Sequence, residues 1–67
     1  MAKIQLNGRK IVLKQNICVL DLLKKYKINV KKVAIEVNGK IIPKNKHKNK
    51  ILKNKDKIEI VQFIGGG

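Results

Sequence analysis

The sequence predicts a two-layer α+β domain, a mixed sheet with one main helix laid across it. Three observations carry that expectation. Two Asn-Gly pairs, Asn7-Gly8 and Asn38-Gly39, each join a pair of apolar stretches and so mark tight hairpins. Val19, Leu22, Leu23 and Tyr26 recur at i, i+3, i+4 and i+7, the stripe of one amphipathic helix. The segment from Ile58 to Phe63 again favours a strand. A sheet hydrophobic on one face and a helix apolar along one stripe bury both by packing together.

The first hairpin runs Lys3-Ile4-Gln5-Leu6, turns at Asn7-Gly8 and returns through Ile11-Val12-Leu13; a two-residue turn sets Leu6 near Arg9. The helix is expected over Cys18 to Lys27, with Lys24, Lys25 and Lys27 on its wet side. Asp21 in the first turn and lysines in the last both suit the helix dipole. Cys18 stands where a Ser or Thr cap is expected and is a poor substitute. At under three turns such a helix is marginal alone and depends on the sheet.

Val33-Ala34-Ile35-Glu36-Val37 reads as the third strand, and Lys40-Ile41-Ile42-Pro43 as its return. Pro43 has no N–H, so it ends that strand or lies at a sheet edge. Lys44 to Lys50 contains only Lys, Asn and His and reads as a solvated crossover, in preference to a phosphate-binding patch. Ile51 and Leu52 form a brief apolar anchor, and Asn54-Lys55-Asp56 a turn into the last strand.

In that strand Ile58 and Ile60 share one face, Val61 and Phe63 the other. One helix covers one face only. Either pair suits the core, and an apolar pair left on the open face beside the chain end forms a docking patch. The expected core is Ile4, Leu6, Leu13, Val19, Leu22, Leu23, Tyr26, Val33, Ile35, Val37, Ile42, Ile58 and Ile60. The whole order of elements fits a β-grasp domain.

At 67 residues the chain makes one small domain with little room for an internal active site. A hydrophobic fraction of 43% favours folding over disorder. No apolar run approaches the ~18 residues of a membrane span, and the alternating N-terminus is not that of a signal peptide. Cys18 is the lone cysteine, so no internal disulfide forms and a reducing compartment is expected. A thiol in the first turn of a helix is a potential nucleophile, but no partner chemistry is nearby in sequence and the structural reading is preferred. His47 has no second ligand at metal spacing and is assigned no chemistry.

The net charge of +13 invites a nucleic-acid reading. Yet lysine outnumbers arginine sixteen to one, and Tyr26 and Phe63 are the only aromatic residues. Base recognition favours the arginine fork and single-strand binding favours stacking surfaces. A solvated lysine surface with no nucleic-acid partner is therefore expected.

The most distinctive stretch is the last. An apolar strand runs directly into Gly65-Gly66-Gly67, with no serine or polar spacer that would suggest a linker remnant. The expected division is a folded domain over 1–63 and a tail over 64–67. Extended backbone from Ile64 to Gly67 carries the terminal carboxylate roughly 13 Å outward. Glycine adds no side chain, so the tether fits a narrow channel, and it costs entropy to hold.

Nearly the whole chain resembles the sulfur carrier of thiamin thiazole biosynthesis, a ubiquitin-like β-grasp family. The likeness lies in Ile4-Gln5-Leu6-Asn7-Gly8, in Val19-x-Asp21-Leu22-Leu23, and in Val33 through Pro43 around Val37-Asn38-Gly39. It continues through Asp56-x-Ile58-Glu59-Ile60-Val61 to Ile64-Gly65-Gly66-Gly67. The chain departs from the pattern at Cys18, at Lys55 and in the lysine-filled loop around His47.

The resemblance implies that the carboxylate of Gly67 is adenylated by an E1-like activating enzyme and converted to a thiocarboxylate. The sulfur comes from a donor such as a cysteine desulfurase and passes to thiazole synthase. ATP and magnesium belong to the activating enzyme, because this chain has no phosphate-cradling glycine loop followed by Lys and Ser or Thr. The chain binds no cofactor and is a protein cosubstrate, not an enzyme. Gly65 and Gly66 form the tail, while Val61, Phe63 and Ile64 dock the partners. The location implied is the cytoplasm, or the plastid stroma for an organelle-encoded chain. The alternatives are a carrier for molybdopterin or tRNA thiolation, a ubiquitin-like modifier, and, more remotely, a small RNA-binding protein. The length and the Ile-Gly-Gly-Gly ending favour thiamin.

Overall fold

The computed structural model describes residues 1–62 of the chain. Phe63, Ile64, Gly65, Gly66 and Gly67 lie outside the described residues. The chain forms β1 (Ala2–Leu6), β2 (Arg9–Leu13), α1 (Val19–Lys25), β3 (Val33–Val37), β4 (Lys40–Ile41) and β5 (Lys57–Gln62). The strands make one sheet in the order β2-β1-β5-β3-β4. β1 and β5 run parallel in its interior, and the other neighbours are antiparallel.

Both hairpins close as the Asn-Gly pairs require. Asn7 and Gly8 have φ of 49° and 81°, and Asn38 and Gly39 have 54° and 84°. Two successive left-handed residues make the turn whose twist matches paired strands, and Asn and Gly tolerate that region best. A side chain at either glycine would meet no atom within 4 Å, so conformation and not space selects glycine there. Leu6 pairs with Arg9, the expected register.

The helix is shorter than expected at both ends, and each end has a physical cause. Cys18 occupies the N-cap position but makes no side-chain capping bond. Its role is taken by the crossover loop: the N–H of Val19 donates to the Lys50 carbonyl at 2.9 Å, and that of Leu20 to the His47 carbonyl at 3.1 Å. Two of the helix's orphan donors are thereby satisfied by backbone. At the other end Lys27 has φ of 56°. Ile28 N–H donates to the Leu23 carbonyl and Lys27 N–H to that of Lys24, a paired closure that stops the helix and turns the chain back.

That closure corrects one expected core residue. Tyr26 is the C-cap and is 42% exposed, because the helix ends before its stripe completes. Leu6, Ile42 and Ile60 pack at the rim of the core and are partly buried. The remaining expected residues are buried, and Ala2 and Leu52 join them at 0% exposure.

The loop from Lys44 also departs from expectation. It contains a 3-10 turn, Lys44–Lys46, and His47 behind it is buried to 2% exposure. Its Nε2 lies 3.0 Å from the Ile42 carbonyl, which accepts the bond when that nitrogen carries the hydrogen. The segment is thus a lysine-coated strap with one inward side chain. Beyond it Leu52 N–H donates to the Ile17 carbonyl at 2.8 Å, and Cys18 bridges Ile51. Leu52 is the anchor, while Ile51 remains half-exposed.

Candidate functional site

The candidate site is the end of β5, from which the final residues continue. β5 is an interior strand, and Gln62, the last described residue, still pairs with Val33. Ile58 to Gln62 pair residue by residue with β3, from Val37 back to Val33. On its other side the parallel pairing with β1 covers only Lys57 and Ile58. Two side chains extend the pairing of β5, Asn7 on the β1 side and Asn38 on the β3 side.

Asn7 Oδ1 accepts from the Ile60 N–H at 2.7 Å, and Asn7 Nδ2 donates to the Ile60 carbonyl at 3.3 Å. The amide therefore acts as one more residue of β1, continuing the ladder past the point where the backbone turns away. Asn38 does the same at the start of the strand. Its Oδ1 accepts from Lys57 N–H at 2.9 Å, and its Nδ2 donates to Asp56 Oδ1 at 2.9 Å. Asp56 Oδ2 in turn accepts from Lys53 N–H at 2.8 Å. Each hairpin asparagine thus has two functions, shaping its own turn and clamping β5. Sequence reasoning found the first function only, since Asn-Gly signals the turn and nothing local signals the distant strand.

The faces of β5 separate as its alternation requires. Ile58 is buried at 1% exposure against the helix side and Ile60 is partly buried there, whereas Val61 lies on the open face and is 51% exposed. Val61 stands opposite Ala34, and one step along the same face Glu59 stands opposite Glu36, which also faces Ile41. Ile41 is 63% exposed. Val61 and Ile41 are therefore exposed apolar residues of one face, separated by the Glu36 and Glu59 pair. Phe63 and Ile64, the other expected docking residues, and Gly65, Gly66 and Gly67 lie beyond the described residues. Cys18 and His47 serve α1: the Cys18 carbonyl accepts from the Leu22 N–H and the His47 carbonyl from the Leu20 N–H.

The ThiS family model matches residues 2–67. The chain belongs to the ThiS family. Its function is carriage of sulfur for thiamin biosynthesis. It is 40% identical over 65 residues to the sulfur carrier protein ThiS of Bacillus subtilis (strain 168), covering 96% of this chain and 98% of that one. It is 37% identical over 65 residues to a thiazole synthase of Paramagnetospirillum magneticum, where 97% of this chain spans only 20% of that protein. A crystal structure of the ThiS thiamine biosynthesis protein from Geobacter metallireducens superposes with a TM-score of 0.85 at 25% identity, covering 97% of this chain and 99% of that chain. The ubiquitin-like β-grasp fold of the ThiS family is therefore the fold of this chain, and no helix among its described residues is long and apolar enough to cross a membrane.

Proposed function

We propose that this chain carries sulfur as a thiocarboxylate on Gly67, as the protein cosubstrate of an adenylating, E1-like enzyme that supplies the ATP and magnesium site. A carboxylate resists nucleophiles because it is negatively charged and oxide is a poor leaving group. Attack of the Gly67 carboxylate on the α-phosphorus of ATP expels pyrophosphate and leaves an acyl adenylate. A persulfide drawn from a donor such as a cysteine desulfurase then displaces AMP to give an acyl disulfide. A thiol reductant cleaves its S–S bond to release the thiocarboxylate, and the thiocarboxylate passes its sulfur to thiazole synthase.

The observation that carries this reading is the grip on β5 through Gln62, which provides a firm base for a glycine tether. Gly65 and Gly66 let that tether enter a narrow channel, while Val61, with Phe63 and Ile64 beyond it, docks the enzymes. A thiazole synthase with a segment homologous to almost the whole of this chain supports the synthase as a partner. The lone Cys18 fits a reducing compartment, the cytoplasm or, for an organelle-encoded chain, the plastid stroma.

The test is an intact mass after incubation with ATP, magnesium, the cognate activating enzyme and a sulfur donor. The expected product has one oxygen replaced by sulfur, and that replacement maps to Gly67. An unchanged mass with active enzymes, or sulfur mapped to Cys18, overturns the proposal.

A further inference from the structure

The sheet has two edges, and they differ in what they offer. β4 is two residues long and Pro43 follows closely, so it presents little backbone to another chain. β2 is five residues long and forms the opposite edge. Its exposed backbone can be assigned from hydrogen bonds on the far side of β1. Gln5 N–H donates to the Asp56 carbonyl, Asn7 N–H to that of Ile58, and the Lys3 carbonyl accepts from Lys55 N–H. Lys3 and Gln5 thus direct their backbone groups away from β2. In an antiparallel pair their opposite residues, Val12 and Lys10, direct theirs outward as well. The open edge therefore presents the N–H and C=O of Lys10 and Val12.

The side chains flanking that edge specify what pairs with it. On the outer face Lys3, Lys10, Lys55 and Lys57 surround a shallow groove of about 440 Å³ that Val12 also lines. The carboxylate in this groove, that of Asp56, already accepts bonds from Asn38 and Lys53. On the helix side Leu6, Arg9, Ile11 and Tyr26 line a cleft of about 340 Å³. A strand laid against β2 sends alternate side chains to these two places. One set meets the lysine-lined groove, and the other meets the cleft of Ile11 and Tyr26, with Arg9 beside them.

We propose that the β2 edge docks an extended segment of a partner protein in which carboxylate and apolar side chains alternate, added as a sixth strand. Charge decides between occupants. A second copy of this chain also carries +13 and is repelled, whereas an acidic segment is attracted. With 17 basic and 4 acidic side chains, one-to-one pairing within the chain leaves at least 13 cations unmatched. Nucleic acid meets the charge but cannot continue a β-ladder. Strand addition supplies affinity through the main chain and specificity through alternate side chains. This docking site is independent of chemistry at Gly67.

The experiment titrates the isotope-labelled full chain with an acetylated, amidated peptide of alternating glutamate and valine, following amide resonances. The expected result is perturbation centred on Lys10 and Val12, with their amides newly protected from exchange. Val12→Pro removes an outward N–H that the β1 ladder does not use, so the fold is retained and affinity falls roughly tenfold or more. Lys10→Glu weakens binding in a salt-dependent way. The same peptide with its glutamates retained and its valines replaced by prolines binds the unaltered chain weakly, a test that holds even where Val12→Pro disturbs the fold. Equal binding of the proline peptide, or perturbation spread equally over Lys44 to Lys50, reduces the effect to bulk charge and overturns the proposal. Preferential occupation of the edge by a single-stranded RNA oligomer overturns it too. Deletion of Gly67 leaves peptide binding unchanged, so failure here and failure of the sulfur-carrier chemistry are separable.

Discussion

β5 has two faces, and the contrast between them separates what packs the core of this small domain from what it leaves in water. Ile58 and Ile60 point toward α1, where Leu22 and Leu23 are fully buried, and Val61 points to the open face with about half its surface in water. The residues are neighbours in sequence and similar in chemistry. Only their parity along the strand differs. The buried face rewards volume and shape, because losing methylenes leaves a cavity in close-packed surroundings. The open face encloses no such packing around Val61, and it is the face on which the proposed docking patch lies. Experiments can break this contrast by showing that the faces exchange roles, or sharpen it by changing one without the other.

The largest expected effect comes from the chain end. Appending one alanine after Gly67 moves the carboxylate outward, and deleting Gly67 draws it back; neither alters a residue of the core. Both variants should retain the wild-type unfolding midpoint and lose thiocarboxylate formation, since displacing reacting atoms by ~1 Å can cost ~100-fold in rate. Pyrophosphate release and intact mass provide the readouts. Normal sulfur transfer by the extended variant would place the chemistry elsewhere.

Leu23→Ala tests the buried face. Leu23 has no exposed surface and lies in the core with Leu22, Ile35 and Ile58. A cost of ~2–5 kcal/mol is expected, a large share of what a domain this small can have. Chemical denaturation measures it. An unchanged midpoint would remove the helix from its place over the sheet.

How far these roles were legible in the sequence depends on whether their causes are local. The hairpins were legible because Asn-Gly fixes a left-handed pair within four residues, and Leu6 does pair with Arg9. The alternation of β3 was equally plain. Tyr26 was misplaced because periodicity does not record where a helix stops, and a lysine at φ of 56° gives a weaker stop signal than glycine. His47 was hidden by its lysine neighbours: composition described the strap's outside, while its inside depends on the Ile42 carbonyl and the helix N-terminus. The poor cap at Cys18 was the available hint that something else must satisfy those N–H groups. Parity alone set Val61 on the face opposite Ile58 and Ile60, and it is half-exposed there.

An intermediate effect is expected at Asn7, which links the two faces to the chain end. Asn7→Gly preserves a residue suited to φ of 49° and deletes both bonds to Ile60. Net hydrogen-bond contributions of ~0.5–1.5 kcal/mol each predict a loss of ~1–3 kcal/mol. Hydrogen exchange should accelerate at Ile60 more than at Ile35, and sulfur loading should slow if a firm base helps to aim the tether. Uniform acceleration throughout the sheet would mean that Asn7 stabilises the fold generally and does not clamp the end of β5.

The smallest effect on stability, and the sharpest test of the contrast, is expected from Val61→Ser. Val61 is paired with Ala34 on the open face, so its truncation creates no enclosed cavity and should change stability by no more than ~0.5–1 kcal/mol. Its apolar surface is nevertheless part of the proposed docking patch beside the tail. Burial of a valine on binding contributes at most ~1.5–3 kcal/mol, so affinity for the activating enzyme or thiazole synthase should weaken by about tenfold while the unfolding midpoint stays put. Ile58→Val is the matched control on the other face: it removes one methylene from the core, should cost ~0.5–1.5 kcal/mol of stability, and should leave affinity unchanged below the melting transition. Measuring stability and affinity for both variants gives two ratios of opposite sense if parity assigns the roles. If Val61→Ser unfolds the domain as readily as Ile58→Val and binds its partners normally once folded, the open face is a continuation of the core and docking resides elsewhere.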